Sequence, residues 1–474
     1  MLITRAEIDG DAPTDLRIAC GRIAEIGCPL SRRAGEPVLD ARGGALLPGL
    51  HDHHLHLMAL AAAEGSVRCG PPQVRSAASL ASALRAGAGG SGWIRGVGYH
   101  ESVAGPLDRA LLDTLAPERP VRIQHRSGVM WVVNSAAVDR LGLDRGLDRP
   151  GVERAGTGRA TGRLFHLDAW LRERLEDAAT PGLANVSLRL ASYGVTGLTD
   201  ATAENSGAEL RAFVAASERG ELLQRLVVMG GPDLPSPSRG RVERGALKVR
   251  LDENDLPCFE TLQGIIETAH REGRSAAVHC VTRSELVLAA AAFAAAGCRP
   301  GDRIEHASVA PPDAVGLLAD LPLTVVTQPG FIRERGDAYL VDVEPRDRPW
   351  LYPCAGWLRA SVPLGGSTDA PFGDPDPWRA MRAAVERRTE AGYGIGSDQA
   401  LTAEQALALF TSPAERPGAA PRAIQVGAAA DLCLLDRPWS KARSELSSEL
   451  VAAAIRGGSV IWPLPEAAAT PSMR

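Results

Sequence analysis

Four of the ten histidines in this chain fall within six residues, in the run His51-Asp52-His53-His54-Leu55-His56. Along an extended strand, side chains alternate between faces, so Asp52, His54 and His56 share one face while His51 and His53 share the other. Leu46, Leu47 and Leu50 provide an apolar lead-in, with Pro48-Gly49 as a bend. Two imidazoles at i and i+2 can both reach one ion, at ~2.0–2.1 Å per bond for zinc. A surface histidine cluster or a tautomer-locked core pair would be the blander reading. An apolar strand that delivers two rings and an aspartate in one direction favours the metal.

Four further residues stand late in short apolar segments: Lys248 in Ala246–Val249, His279 in Ala277–His279, His306 in Ile304–His306, and Asp369 after Val362–Leu364. Taken singly, each has an ordinary alternative. His279 could be a satisfied core histidine, Lys248 could extend its amine to the surface, and Asp369 could cap the segment that follows it. Their spacing argues for a joint role. Positions 248 and 279 are 31 apart, 279 and 306 are 27 apart, and 306 and 369 are 63 apart. A strand with its crossover occupies ~30 residues, so these residues are expected on successive parallel strands, one strand being skipped before Asp369. Active sites gather at the C-terminal ends of such strands.

The elements needed to position these groups are legible in the pattern. Helical spacing over Phe259–Arg271, Ser284–Ala296, Pro311–Ala319 and Trp378–Arg388 alternates with strand-like Ala276–His279, Arg303–His306, Leu323–Thr327 and Ser361–Leu364, as a parallel sheet requires. Residues 65–180 break this rhythm and are expected to be an insertion over the barrel mouth, anchored by Trp93, Tyr99 and Trp131. Leu16–Ile18, Arg22–Ile26 and Val38–Leu39 at one end, and Asp431–Leu435 and Val451–Ile461 at the other, read as strands of one small β-module. With 474 residues and 45% hydrophobic content, the chain can build a large barrel beside such a module. The expected division is a β-sandwich from residues 1–46 and 420–465, and a barrel over 47–419.

Lys+Arg 52 against Asp+Glu 57 gives a net charge of -5, which argues against nucleic acid or an anionic membrane as partner. The N-terminus lacks a signal-peptide pattern and no apolar run reaches membrane-spanning length, so a cytoplasmic location is expected. The eight cysteines are scattered without a C-x-x-C pair, which suggests neither a zinc knuckle nor a disulfide framework. The Gly87–Gly92 stretch lacks the preceding strand of a dinucleotide fingerprint.

Leu47-Pro48-Gly49 through His56, Lys248, His279, Arg303-Ile304-Glu305-His306 and Gly366-Ser367-Thr368-Asp369-Ala370-Pro371 together resemble the amidohydrolase superfamily, in its YtcJ-like, amidohydrolase 3 branch. Trp131 to Ala136 and Asp374 to Trp378 extend the likeness over nearly the whole chain. The resemblance implies an α/β fold: a (β/α)8 TIM barrel with a small β-sandwich made from both chain ends. It also implies one or two divalent ions, with zinc foremost. The implied ligands are His54, His56, His279, His306 and Asp369, with Lys248 as a bridging residue that could be carboxylated on its amine. Two stretches depart from the pattern: Val129 follows Ser127-Gly128 where a histidine is common, and Glu253-Asn254 replaces a glycine-rich run after Asp252. Both leave the substrate open.

The expected chemistry is hydrolysis of a carbon–nitrogen bond in a small molecule (an amide, formamide or other N-acyl group), with metal-activated water and Asp369 as the proton carrier. Tyr99, His100 and Arg126 are candidate substrate contacts. A deaminase or cyclic-amide hydrolase on the same scaffold is the second reading, and a non-catalytic metal- or ligand-binding barrel a third. The sequence leaves oligomeric state open, a homodimer included.

Overall fold

Eight short strands pair in chain order, all parallel: β1 (Leu50–Leu55), β2 (Val195–Asp200), β3 (Arg225–Gly230), β4 (Val242–Arg250), β5 (Ala276–Cys280), β6 (Arg303–His306), β7 (Thr324–Thr327) and β8 (Leu364–Gly366). The ring closes just beyond the end of β8, where Asp369 N donates to His54 O at 2.9 Å and His56 N donates to Ala370 O at 2.8 Å. The result is a (β/α)8 barrel. Most of its strand residues are buried, and β1 and β2 are buried at every residue, because crossover helices cover a parallel sheet on its outer face. The structure is a computed structural model that describes residues 1–87, 92–116, 119–145, 149–175, 181–237 and 240–463.

The crossover helices follow from local sequence. Phe259–Arg271 buries Leu262, Ile266 and Ala269, one face at i, i+4 and i+7. Arg283–Ala296 starts at a capping box, in which the Thr282 side chain accepts from Glu285 N and the Glu285 carboxylate accepts from Thr282 N. These helices, and strands β5 and β6, lie where periodicity places them. The expected strand Ser361–Leu364 is corrected to Leu364–Gly366. Ser361 and Val362 instead finish the helix Cys354–Arg359: Ser361 has φ 59°, and Val362 N donates to Trp357 O at 3.0 Å.

Two four-stranded sheets adjoin the barrel strands in sequence. One is built from Leu2–Ala6, Thr14–Ala19, Arg22–Gly27 and Val38–Asp40. The other contains Leu46–Pro48, Leu432–Leu435, Val451–Arg456 and Ser459–Trp462. Ile3, Leu16 and Ile18 from the first sheet and Leu46, Leu432, Leu434 and Ile455 from the second share one apolar core. Leu46–Pro48 is therefore not the lead-in of the first barrel strand, as expected from sequence, but a strand paired antiparallel with Leu432–Leu435. Val451–Ile461 is likewise two strands and not one, because Gly457-Gly458, at φ 53° and 77°, supply the positive-φ pair of a tight hairpin. Residues 464 and 465 of the expected module lie outside the described residues.

The chain divides into two compact units: Met1–Leu57 with Leu183–Arg474, and Met58–Gly182. The second unit has its own six-stranded mixed sheet, running from Val67–Arg68 at one edge to Val152–Arg154 at the other. It also has its own apolar cores, one around Tyr99, Val121 and Ile123 and another around Trp131, Leu164 and Trp170, with Trp93 packed against the latter. No helix among the described residues is long and apolar enough to cross a membrane. All eight cysteines are free thiols.

Candidate metal centre

Because β1 ends at Leu55, His54 is its last inward-facing residue and His56 stands on the turn just past it. Asp369 stands at the matching point past β8, with φ 54°. Left-handed backbone is uncommon for a residue with a side chain. Here it is held by the bond from Asp369 N to His54 O, and it turns the carboxylate toward both rings. His56 Nε2 lies 3.3 Å from Asp369 Oδ1, and His54 Nε2 lies 3.7 Å from the same oxygen. Ligand atoms of His54, His56 and Asp369 all fall within 4.8 Å of one another, a separation one ion could span.

His306 joins from β6. Its ring centroid is 4.7 Å from that of His54 and 4.4 Å from that of His279, which stands on β5, and its Nδ1 is 4.0 Å from Asp369 Oδ2. Strict alternation would set His306 on the opposite face from Glu305, yet both residues reach His54. A φ of 68° at His306, followed by 46° at Ala307, breaks the alternation and returns the ring to the centre. Lys248 is buried on β4, and its Nζ has no hydrogen-bond partner.

Three imidazoles of the centre, those of His54, His56 and His306, are held through Nδ1. His54 Nδ1 donates to Glu305 Oε2, His56 Nδ1 is 2.8 Å from Thr202 Oγ1, and His306 Nδ1 is 2.7 Å from Gln328 Oε1. Gln328 is oriented in turn by its amide donating to Ser367 Oγ at 2.8 Å. Such partners fix the tautomer, leaving Nε2 of the ring unprotonated for the centre. Glu305 is fully buried and is clamped from its other side by Arg303, which also donates to His53 O at 2.8 Å. Burial alone would raise Glu305, but Arg303 and then Lys248 outweigh it and hold the carboxyl well below its usual range.

Burial pushes His54 down to about 3, His279 well below its ordinary value and His306 below it, so these rings are neutral near pH 7. Neutral imidazole is the form that binds a metal. Burial pushes Lys248 down to about 8, which brings its amine near deprotonation at neutral pH. Asp369 goes the other way: burial would raise it, but the neighbouring His56, then His54 and His306, leave it below the carboxylate range and ionised. Two buried polar atoms, Lys248 Nζ and Asp369 Oδ1, lack hydrogen-bond partners in the middle of this group. Buried atoms of this kind are costly unless something satisfies them. Neutral imidazoles, an anionic oxygen and an unsatisfied amine together make a donor set that fits a divalent ion.

Three other polar residues of the histidine run have partners of their own. Asp52 shares the inward face with His54, but its carboxylate accepts from Thr368 Oγ1 and from Thr368 N at 3.2 Å, and burial raises it to about 7. His51 and His53 point away from the centre, toward Thr199 Oγ1 at 2.9 Å and Ser412 Oγ at 3.0 Å. Tyr99, His100 and Arg126 all belong to the Met58–Gly182 unit. Tyr99 is a core residue whose hydroxyl donates to Gly105 O at 2.6 Å, and the His100 ring caps a short helix by accepting from Ser102 N. Arg126 N donates to Tyr99 O at 2.9 Å. His125 is bonded to Ser127 and Glu101 within the same unit.

Sequence reasoning did not single out Glu305, Thr202 or Gln328 as supports of the centre. For Glu305 a signal was present: two charged residues, Arg303 and Glu305, in a four-residue buried strand. Burying them demands a partner.

Residues 37–462 match the model of the amidohydrolase family. The chain is 28% identical to the N-substituted formamide deformylase of Arthrobacter pascens, over 90% of this chain and 91% of that one. It is 24% identical to YtcJ of Bacillus subtilis (strain 168), itself named only as a provisional amidohydrolase, over 81% of this chain and 82% of that one. Among solved structures, an uncharacterized metal-dependent hydrolase from Pyrococcus horikoshii OT3 superposes with a TM-score of 0.74 at 22% identity, covering 92% of this chain and 97% of that one. The chain therefore belongs to the amidohydrolase family, in the amidohydrolase 3 branch that its motifs resemble.

Proposed function

We propose that this protein hydrolyses a carbon–nitrogen bond of a small N-acyl compound, a formamide or related amide, at the centre formed by His54, His56, Lys248, His279, His306 and Asp369. The convergence of His54, His56 and Asp369 beside the unsatisfied Lys248 amine carries this reading. The likeness to a formamide deformylase along nine-tenths of the chain supports the substrate class.

A divalent ion at this centre, zinc foremost, would lower the pKa of a water molecule and polarise the substrate carbonyl. His54 and His56, with His279 and His306, would hold one or two such ions through their free ring nitrogens. Lys248, near deprotonation, could add carbon dioxide to its amine with loss of a proton, and the resulting carbamate would be a further anionic residue to hold such an ion. Asp369 is ionised and has an oxygen without a donor, so it can accept the proton of the attacking water and deliver it to the leaving nitrogen.

Two measurements test the reading on the purified protein. Removing metal with a chelator should abolish release of amine from N-substituted formamides, and adding zinc back should restore it. Asp369→Asn should keep its metal content by elemental analysis yet lose about 10²–10⁴-fold in kcat, the usual contribution of acid–base catalysis. Unimpaired turnover in that variant would remove Asp369 from the proton path.

A further inference from the structure

Arg335, on the helix Gly330–Asp342 that follows β7, is half-buried and forms no ion pair with a carboxylate among the described residues. Its guanidinium sits 3.8 Å above the centroid of the Phe331 ring, and Nη2 donates to Phe372 O at 2.7 Å. That leaves most of its five N–H donors unengaged. Tyr339, one turn further along the helix, brings its hydroxyl to 3.3 Å from that of Tyr352. Phe331, Tyr352, Tyr339 and Phe372 belong to one apolar cluster, which gives the cation an aromatic surround.

Phe372 ties this cluster to the centre. Its N donates to Asp369 O at 2.9 Å, and its ring lies 5.4 Å from that of His56. Behind the Tyr339 and Tyr352 hydroxyls, the Asp369 carboxylate is the next group that favours the charged form of Arg335. The cation is thus fastened to the turn that carries Asp369, the group assigned above to the leaving nitrogen.

We propose that Arg335 recognises a carboxylate on the amine side of the substrate, so that the preferred substrates are N-acyl or N-formyl amino acids with an apolar or aromatic side chain. This rests on the carbon–nitrogen hydrolysis proposed above. A planar guanidinium stacked on a ring is pre-oriented to give a carboxylate two parallel hydrogen bonds. An arginine that served only to brace its helix against Phe372 would need no such freedom.

The test is calorimetric titration of the metal-loaded protein with N-formyl-phenylalanine and N-formyl-phenylalaninamide, two probes that differ only in carboxylate against carboxamide. The wild type should bind the acid about tenfold or more tightly than the amide, in line with a charge-assisted pair. Arg335→Gln, whose amide can still donate to Phe372 O, should abolish that preference while binding the amide as the wild type does. Arg335→Lys, which keeps the charge and loses the fork, should retain part of it, and serves if the glutamine variant does not fold. Three results overturn the assignment: no measurable binding of the acid, no preference in the wild type, or a preference that survives both substitutions unchanged. Turnover of the same probes separates the two readings. An Arg335-dependent preference without cleavage leaves the binding assignment standing and removes the hydrolysis, whereas cleavage of both with equal kcat/KM does the reverse.

Discussion

His54 gives one ring nitrogen to Glu305 and turns the other toward Asp369, so its value as a ligand depends on a carboxylate from the far side of the barrel. Glu305 depends in turn on Arg303, which also grips the backbone at His53. Glu305→Gln keeps the shape and loses the charge that holds the His54 tautomer. Metal affinity should fall about 10- to 100-fold, the usual cost of losing such a partner, as read by competition with a coloured chelator. An unchanged affinity would show that the His54 ring is held by packing alone. Position matters as much as residue type here. Asp52 is the one acid of β1 and faces inward, but Thr368 takes it first.

Among the elements, the strand Thr14–Ala19 carries a buried ion pair that sets a pH dependence. Arg17 is almost fully enclosed, with Nε donating to Glu36 Oε1 at 2.9 Å. The bond from Arg17 and then that from Arg33 N hold Glu36 below its usual range. A carboxyl lowered in the folded state adds stability that is present above its unfolded pKa, and that stability is lost as pH falls through the folded value. Glu36→Gln should therefore lower the Tm at pH 7, with the gap to wild type closing as pH falls below about 4.5, near the ordinary glutamate value. A gap that stays constant down to acid pH would mean that packing, not charge, sets the difference. The barrel strands behave differently. Their order follows from apolar runs and crossover helices, and β5 and β6 are so regular that His279 and His306 could be placed by counting residues.

At the scale of the whole molecule, Leu46–Pro48 links the terminal sheets to the candidate metal centre. This strand pairs with Leu432–Leu435 and runs directly into β1, which carries His54. Leu46, Leu432, Leu434 and Ile455 are nearly fully buried in the shared core. Burying each such side chain contributes about 1.5–3 kcal/mol, against a total stability of about 5–15 kcal/mol. A chain ending at Ala430 loses three of these four and leaves Leu46–Pro48 unpaired. It should show no cooperative melting transition by circular dichroism and should retain little metal. Full metal content in that truncated chain would show that the barrel holds β1 without the terminal strands.

The sequence by itself determined the parts that depend on short stretches of chain. Apolar periodicity placed the crossover helices, and strand-sized spacing put Lys248, His279, His306 and Asp369 on β4, β5, β6 and the turn after β8. The histidine run offered His54 and His56 because alternation along a strand is a local property. Tertiary structure alone decided which distant groups complete the centre. Glu305 lies 251 residues from His54, and no local preference encodes that meeting; it exists because the barrel closes. Backbone strain made the second decision. His306 and Asp369 face the centre through positive φ values that their own side chains disfavour, held by bonds and packing from the assembled barrel. The pairing of Leu46–Pro48 with residues near 433 is of the same kind, since two apolar segments that far apart choose each other only once the core between them forms.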